Sequence, residues 1–500
     1  MLKHLKYFGL LVFAAFLLRL TNFLLSTYIT TPDGASYTTL ARKLAAGNFS
    51  GFLDPYWSPL FPFVTSFFTF FSDSKEFPGI AASMFFGCLL PITIFFLVKQ
   101  HYGVKEGYLS GAIAIIYPFL IEASGDITPD HLYIFLICLA ILFGWQALKE
   151  NNLWKFALVG LLLGFSYLTR PEAVIYLIWF SILALLKFSP TSNYKQRLKN
   201  ILFLFAGFII PASPYLIYLR VETGVWTISG KFKKHIIGGI FYKPEQEITR
   251  TYYIVNVFKT LIFNLDRQHK SFQYLFPPFL MMISALGLFR AKWTTERFQK
   301  EFYFLSFFAT TVICYAVTVV EVRYLSVTLP ILFAWLAKGF FEFRDWLIEN
   351  FEQPDLSNFL LLKNRFLYGL ICVSLVFIYL LPTVSFVQSD DKFAEFHPIE
   401  IKKAGVWLKE NTPADSSILS DSRVTAFYAD KEHEQLSEEN SENQVLNTKA
   451  DFLVIYERSF KSPTEYSAEI EKLAQSGKFE IISNIDNKIG YRASIFRVKK

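Results

Sequence analysis

Charge is what this chain has least of. Only 18% of its 500 residues are Asp, Glu, Lys or Arg, against 53% hydrophobic and 18% aromatic, whereas a soluble chain averages about 25% charged and about 45–50% apolar. A soluble globular fold is excluded. Cysteine is nearly as scarce: Cys88, Cys138, Cys314 and Cys372 all fall inside apolar runs, so no disulfide framework is expected and the four read as packing residues. There is no Walker loop, no paired-Cys metal site and no His-Glu-x-x-His, which removes the sequence signatures of phosphate-loop enzymes and zinc hydrolases. A divalent metal on isolated carboxylates stays open. Internal repeats and low-complexity tracts are lacking as well. What remains is apolar length, because several windows of about 17 to 25 residues hold no charge, enough to cross a hydrocarbon core of about 30 Å as helix.

The formal charge of +7 is a mixture of two regions. Residues 389–500 hold 16 Lys and Arg against 20 Asp and Glu, leaving 33 against 22 for residues 1–388. A basic membrane portion facing anionic lipid needs no nucleic-acid partner.

Apolar runs bounded by charge or turn residues predict a polytopic α-helical membrane protein with about eleven spans, roughly 7–29, 77–98, 107–124, 130–148, 153–168, 171–187, 199–219, 273–289, 302–320, 323–343 and 366–388. The first run is long and lacks a small-residue cleavage site, so it reads as a retained span. Lys3 and Lys6 place the amino terminus in the cytoplasm, and alternate connections then carry Lys99, Lys105, Lys149, Lys195, Arg197, Arg290, Lys338 and Lys363. That alternation follows the positive-inside bias. An odd count puts residues 389–500 outside. The division expected is a transmembrane unit over residues 1–388, with outer loops 30–76 and 220–272, and an extracytoplasmic α/β domain over 389–500.

Within loop 30–76, Tyr37, Leu40, Ala41 and Leu44 share one helical face and predict an amphipathic surface helix ended by Gly47. The Phe-rich run Phe61–Phe71 is too short for a confident span. Loop 220–272 is basic despite its outer placement, with Lys231, Lys233, Lys234 and His235 clustered. In the tail, helices are expected at Ile399–Lys409 and Pro463–Gln475, strands at Ser417–Leu419 and Phe452–Tyr456, and a terminal hairpin from Phe479–Ile485 and Tyr491–Val498. Residues 430–448 read as a flexible loop.

Ionisable residues near hydrocarbon are costly and mark function. Asp33, in Pro32-Asp33-Gly34 directly after the first span, reads either as a helix N-cap or as a general base at the membrane surface. Asp126 and Asp130 flank a short outer turn; Asp130 is expected to cap the fourth span and Asp126 to be the site residue. Arg170-Pro171-Glu172 forms a whole connection, and its guanidinium is either a rigid fork for phosphate or an interfacial partner of Glu172. Arg323 beside Glu321 poses the same alternatives. The Lys231, Lys234 and His235 cluster is either a solvated face or part of a phosphate site. A carboxylate, arginines and a basic loop at the outer leaflet suit chemistry on a phosphorylated lipid.

The arrangement resembles the GT-C glycosyltransferases that use polyprenyl-phosphate sugars, a group (glycosyltransferase family 39-like) that includes protein O-mannosyltransferases and the bacterial aminoarabinose lipid A transferase. The matching residues are Pro32-Asp33-Gly34 with Tyr37 and Ala41, Tyr56-Trp57-Ser58-Pro59 with Pro62, Thr128-Pro129-Asp130, Arg170-Pro171-Glu172, and Arg323-Tyr324-Leu325 with Pro330. The resemblance implies that Asp33 is the catalytic carboxylate. It often includes an acidic pair, Asp-Glu, where this chain has Asp33-Gly34, so a second acid would have to come from Asp126. It implies a lipid-linked sugar donor and a glycan, lipid or protein acceptor at the outer face of a cell or inner membrane. In that reading Arg170, Arg323, Lys231 and Lys234 bind donor phosphate, while Tyr37, Tyr56, Trp57, Asp130, Glu172 and His235 line the substrate. A transporter or flippase would need charged or broken helices at mid-membrane, and mid-span ionisable residues are scarce. A non-catalytic envelope-assembly subunit is supported only by the outer tail.

Overall fold

The computed structural model describes residues 2–25, 29–186, 188, 193–231, 250–289, 293–350, 398–436, 441–486 and 491–499. The expected span at 366–388, together with Lys234 and His235, lies outside these residues.

The apolar runs form helices in chain order: α1 (Leu2–Leu25), α2 (Pro32–Ala45), α3 (Phe49–Phe52), α4 (Leu60–Phe68), α5 (Phe77–His101), α6 (Val104–Ile116), α7 (Pro118–Glu122), α8 (Asp130–Glu150), α9 (Leu153–Thr169), α10 (Ala173–Leu185) and α11 (Tyr194–Thr223). After them come α12 (Arg250–Leu275), α13 (Pro278–Phe289), α14 (Thr295–Ala316), α15 (Val322–Leu325) and α16 (Leu329–Asn350). Among the described residues, α5, α8, α11 and the α15–α16 stretch are long and apolar enough to cross a membrane. Helices α9 and α10, at 17 and 13 residues, are shorter, so the count of eleven is not fixed by helix length.

Three expectations change. The span at 107–124 is broken: Tyr117 turns extended and Pro118, which has no N–H to donate, starts a second short helix. The run at 273–289 is mostly the second arm of a bent pair, α12 meeting α13 at 91°; loop 220–272 therefore contains most of a 26-residue helix that ends at Leu275. Third, the expected first span carries a buried arginine, Arg19 of α1, at 1% exposure.

The tail is a three-layer α/β unit. It comprises α17 (Ile399–Asn411), β1 (Ser417–Ser420), α18 (Arg423–Ala429), β2 (Glu432–Gln435), α19 (Ser441–Asn447), β3 (Phe452–Tyr456), α20 (Pro463–Gln475), β4 (Phe479–Asp486) and β5 (Arg492–Val498). The sheet order is β2-β1-β3-β5-β4, with β1 parallel to β2 and β3 and the β4–β5 hairpin antiparallel. Alternation along β3 sends Phe452, Val454 and Tyr456 to a core with α17 and α18, and Leu453 and Ile455 to one with α20. The region 430–448 holds β2 and α19 rather than being wholly a loop. Its Glu-His-Glu-Gln sequence shows no alternation because β2 is a half-exposed edge strand.

This unit docks on the chain flanking the first loop. Tyr428 accepts from the Thr30 backbone N–H at 3.0 Å, Lys402 pairs with Glu76 at 2.9 Å, and Lys75 pairs with Asp430. Ile29, just after α1, is buried in its core.

Candidate active site

Loop chemistry places the first carboxylate. Thr31, not Asp33, is the N-cap of α2: its hydroxyl accepts from Gly34 N–H at 3.1 Å, and Pro32 occupies the first helical turn. Asp33 is thereby relieved of capping. Its carboxylate instead accepts from Arg323 Nη2 at 2.9 Å, across 290 residues of sequence. Arg323 also donates from Nε to Glu321 at 2.6 Å, so one guanidinium bridges two carboxylates.

Gly34 explains why no acidic residue follows. A Cβ there would lie 2.5 Å from Thr30 Oγ1 and 3.0 Å from Ile127 Cβ. The turn 123–129 packs against the start of α2 and leaves room only for glycine.

A second ion pair forms between the starts of α8 and α10. Asp130 does not cap α8; its carboxylate receives Arg170 Nη1, with side chains only 4% and 9% exposed. Glu172 accepts from the other Arg170 nitrogen at 3.4 Å, and the guanidinium lies 4.0 Å from the Tyr324 ring centre and 5.6 Å from that of Tyr133. Stacking and two carboxylates hold a planar cation without freedom to turn.

These groups share one cavity of about 320 Å³. Its polar wall carries Asp33, Tyr37, Ser58, Asp130, Arg170, Glu172, Ser229, Lys231 and Arg323; its apolar wall is built from Val174, Ile175, Ile178, Ile228 and Val319. Lys231 is the one cation on this wall without a carboxylate partner among the described residues. Its ammonium sits 4.3 Å from the Tyr56 ring and 4.2 Å from that of Trp57, and burial pulls its pKa down to about 8 despite the opposing charge of Asp33. Trp57 is buried, packed edge-on against Tyr37 and Tyr56; it does not line the cavity. Tyr37 does, and burial followed by the Asp33 charge drives its hydroxyl pKa upward.

Asp126 stands outside the lining. Burial, then the charges of Glu122 and Asp130, push its pKa up to about 7, so near neutrality it is only partly ionised and a poor fixed charge. Besides Asp33, the carboxylates next to the cations are Asp130, Glu172 and Glu321. Sequence reasoning gave the second-acid role to Asp126 and read Asp130 as a cap, because Pro129-Asp130 before a helix looks like one; the cavity lining includes Asp130 and not Asp126. The apolar wall was also missed, since Val174, Ile175 and Ile178 are ordinary membrane-helix residues; only the helical face shared by positions 174, 175 and 178, immediately after Arg170, hinted at it.

A polytopic helical unit whose buried carboxylates and cations meet in a half-apolar cavity beside an α/β domain has the architecture of a membrane glycosyltransferase of the GT-C type. Residues 55–218 match the family model described as dolichyl-phosphate-mannose-protein mannosyltransferase. The fold is similar to the ArnT of Cupriavidus metallidurans bound to undecaprenyl phosphate, with a TM-score of 0.63 at 11% identity, covering 98% of each chain. It is also similar to the Archaeoglobus fulgidus oligosaccharyltransferase AglB in complex with an inhibitory peptide and a dolichol-phosphate, with a TM-score of 0.51 at 12% identity, covering 90% of this chain and 69% of that one. The same archaeal enzyme tethered to an acceptor peptide aligns over 98% of this chain and 74% of its own, at TM-score 0.53 and 12% identity. No curated protein matches the sequence. The likeness to these structures shows a GT-C-type fold over nearly the whole chain, and the family model covers residues 55–218 of it.

Proposed function

We propose that the chain moves a sugar from a polyprenyl-phosphate donor to an acceptor hydroxyl at the outer face of the membrane, with Asp33 as general base. The observation that carries this reading is the placement of Asp33 in one cavity with Lys231, Arg170 and Arg323, a cavity that Val174, Ile175, Ile178 and Val319 also line. A hydroxyl becomes an effective nucleophile when a carboxylate within hydrogen-bond reach takes its proton. The acceptor oxygen then bonds to the anomeric carbon as the bond from that carbon to the phosphate oxygen breaks. The proton rests on Asp33 and the electron pair leaves on the lipid phosphate.

Electrostatic stabilisation of that phosphate falls first to Lys231. Both arginines are already compensated by carboxylates, whereas the lysine faces only aromatic rings and the cavity. Arg170 and Arg323 hold the field in place and complete it. The wall of Val174, Ile175, Ile178 and Val319 suits the first isoprene units, as a lipid-borne leaving group requires. In this reading residues 1–388 form the catalytic membrane unit with a cytoplasmic amino terminus, and residues 389–500 lie outside over the site.

The test is transfer by purified protein in detergent or liposomes, using a panel of radiolabelled undecaprenyl-phosphate and dolichyl-phosphate sugars. Lipid-dependent release of polyprenyl phosphate with label on an acceptor supports the proposal. Absence of binding to every polyprenyl phosphate contradicts it.

A further inference from the structure

Arg19 is buried within the apolar helix α1 and has no carboxylate partner among the described residues. Its four nitrogen contacts explain how it persists. Nη1 donates to Ala15 O at 3.2 Å in its own helix and to Ile115 O at 3.4 Å, and Nη2 to Ala114 O at 3.5 Å. Those last two carbonyls belong to the final turn of α6. In an unbroken helix Ala114 O would receive the N–H of residue 118, which here is Pro118, and Ile115 O would receive the N–H of residue 119, which the turn at Tyr117 carries away. Arg19 supplies the donors that the break removes.

The fourth contact runs toward the active site. Arg19 Nε donates to Ser124 Oγ at 3.0 Å, Ser124 Oγ donates to Leu120 O at 2.6 Å, and His131 Nε2 lies 3.1 Å from the same carbonyl and 3.3 Å from Ser124 Oγ. His131 adjoins Asp130, the carboxylate that holds Arg170. Gly87 of α5 makes room for the cluster: a Cβ there would lie 2.6 Å from Ser124 Oγ, 3.0 Å from Arg19 Nε and 3.2 Å from His131 Cδ2.

We infer that Arg19 is a positioning residue for the active site. It pins the broken end of α6 and, through Ser124 and His131, fixes the 123–131 turn that sets Asp130 under Arg170. Ser83 also fastens the turn, through the backbone of Thr128. This inference rests on the proposed transfer reaction for its kinetic readout alone.

Three variants test it: Ser124→Ala, which removes one link; Gly87→Ala, which wedges the cluster; and Arg19→Lys, which keeps the charge but cannot reach carbonyls and hydroxyl in two directions. Amide exchange of residues 118–131 and transfer turnover are measured on each purified protein relative to wild type. Displacement of catalytic groups by about 1 Å can cost on the order of 10²-fold, so turnover should fall about 10-fold or more in Ser124→Ala and Gly87→Ala, with exchange quickened in the turn well beyond the rest of the chain; the melting temperature should drop only modestly, from the orphaned donor in one and the overpacked cluster in the other. Arg19→Lys should behave likewise, whereas a role of mere charge would be rescued by lysine. Wild-type exchange across residues 118–131 in both Ser124→Ala and Gly87→Ala overturns the inference, even if the donor proves wrong and wild type itself gives no turnover. A failure of Arg19→Lys to fold leaves the other two variants to decide.

Discussion

Asp130→Asn is the perturbation whose cost the structure fixes most tightly. The carboxylate and its partner Arg170 are 4% and 9% exposed, so water cannot replace the lost charge. What would remain for the guanidinium is Glu172 at 3.4 Å and the Tyr324 ring at 4.0 Å, together with the neutral amide oxygen. Removing one partner of a buried pair costs about 3–5 kcal/mol, and the residual contacts put this case at the lower end of that range. The same change at Glu321, whose side chain is 41% exposed beside Arg323, should cost about 0–1 kcal/mol. Glu172→Gln, with a side chain 25% exposed, falls between. Thermal unfolding of the three variants in one detergent should therefore rank Asp130→Asn well below Glu172→Gln, and Glu172→Gln below Glu321→Gln. In a double-mutant cycle, Asp130→Asn combined with Arg170→Met should be less destabilised than the sum of the two singles, because neither charge is then orphaned. If Asp130→Asn melts with Glu321→Gln, the argument from burial is wrong.

Two further substitutions probe the cavity. Burial holds the Lys231 pKa at about 8, below the ordinary 10.5, so its positive charge is present below that pH and is lost as pH rises through it; undecaprenyl-phosphate affinity should decline above about pH 8, and Lys231→Met should bind weakly and without that decline. The stability effect has the opposite sign, since between about pH 8 and 10.5 the unfolded chain binds the extra proton and wild-type stability rises relative to Lys231→Met. At Gly34 a glutamate restores the acidic pair often seen in the group this chain resembles, yet its Cβ must displace Thr30 and Ile127; Gly34→Glu should lose roughly 1–3 kcal/mol by overpacking and gain no activity. A more active Gly34→Glu enzyme would show that the packing around residue 34 has been misjudged.

Much of the fold was legible because it rests on local rules. Charge-free runs place α5, α8 and α11 within a few residues, a short apolar run finds β3, and the two strands of the β4–β5 hairpin are legible as well. The misses share a cause, which is that tertiary partners decided the outcome. Thr31 rather than Asp33 caps α2 because Pro32 and the Gly34 N–H fit the threonine, a choice invisible without the backbone. Asp130 binds Arg170 because the starts of α8 and α10 converge, and no spacing in the chain announces a pair 40 residues apart. Arg19 sits inside an apolar run with nothing beside it to mark a role, because that role depends on Pro118 nearly 100 residues later. Arg170, Arg323 and Lys231 stood out because a charge beside hydrocarbon requires a reason. The carboxylates each one uses could be read only from the folded chain.

The central claim is that Asp33 takes the acceptor proton. Asp33→Asn keeps the size and a hydrogen-bond acceptor for Arg323 while removing basicity, and the pair it breaks is partly exposed, at 34% and 29%, so folding should change by no more than about 1 kcal/mol. Single-turnover transfer from a radiolabelled polyprenyl-phosphate sugar should fall by about 10²–10⁴-fold, with undecaprenyl-phosphate binding retained. Full turnover by Asp33→Asn under those conditions contradicts the account.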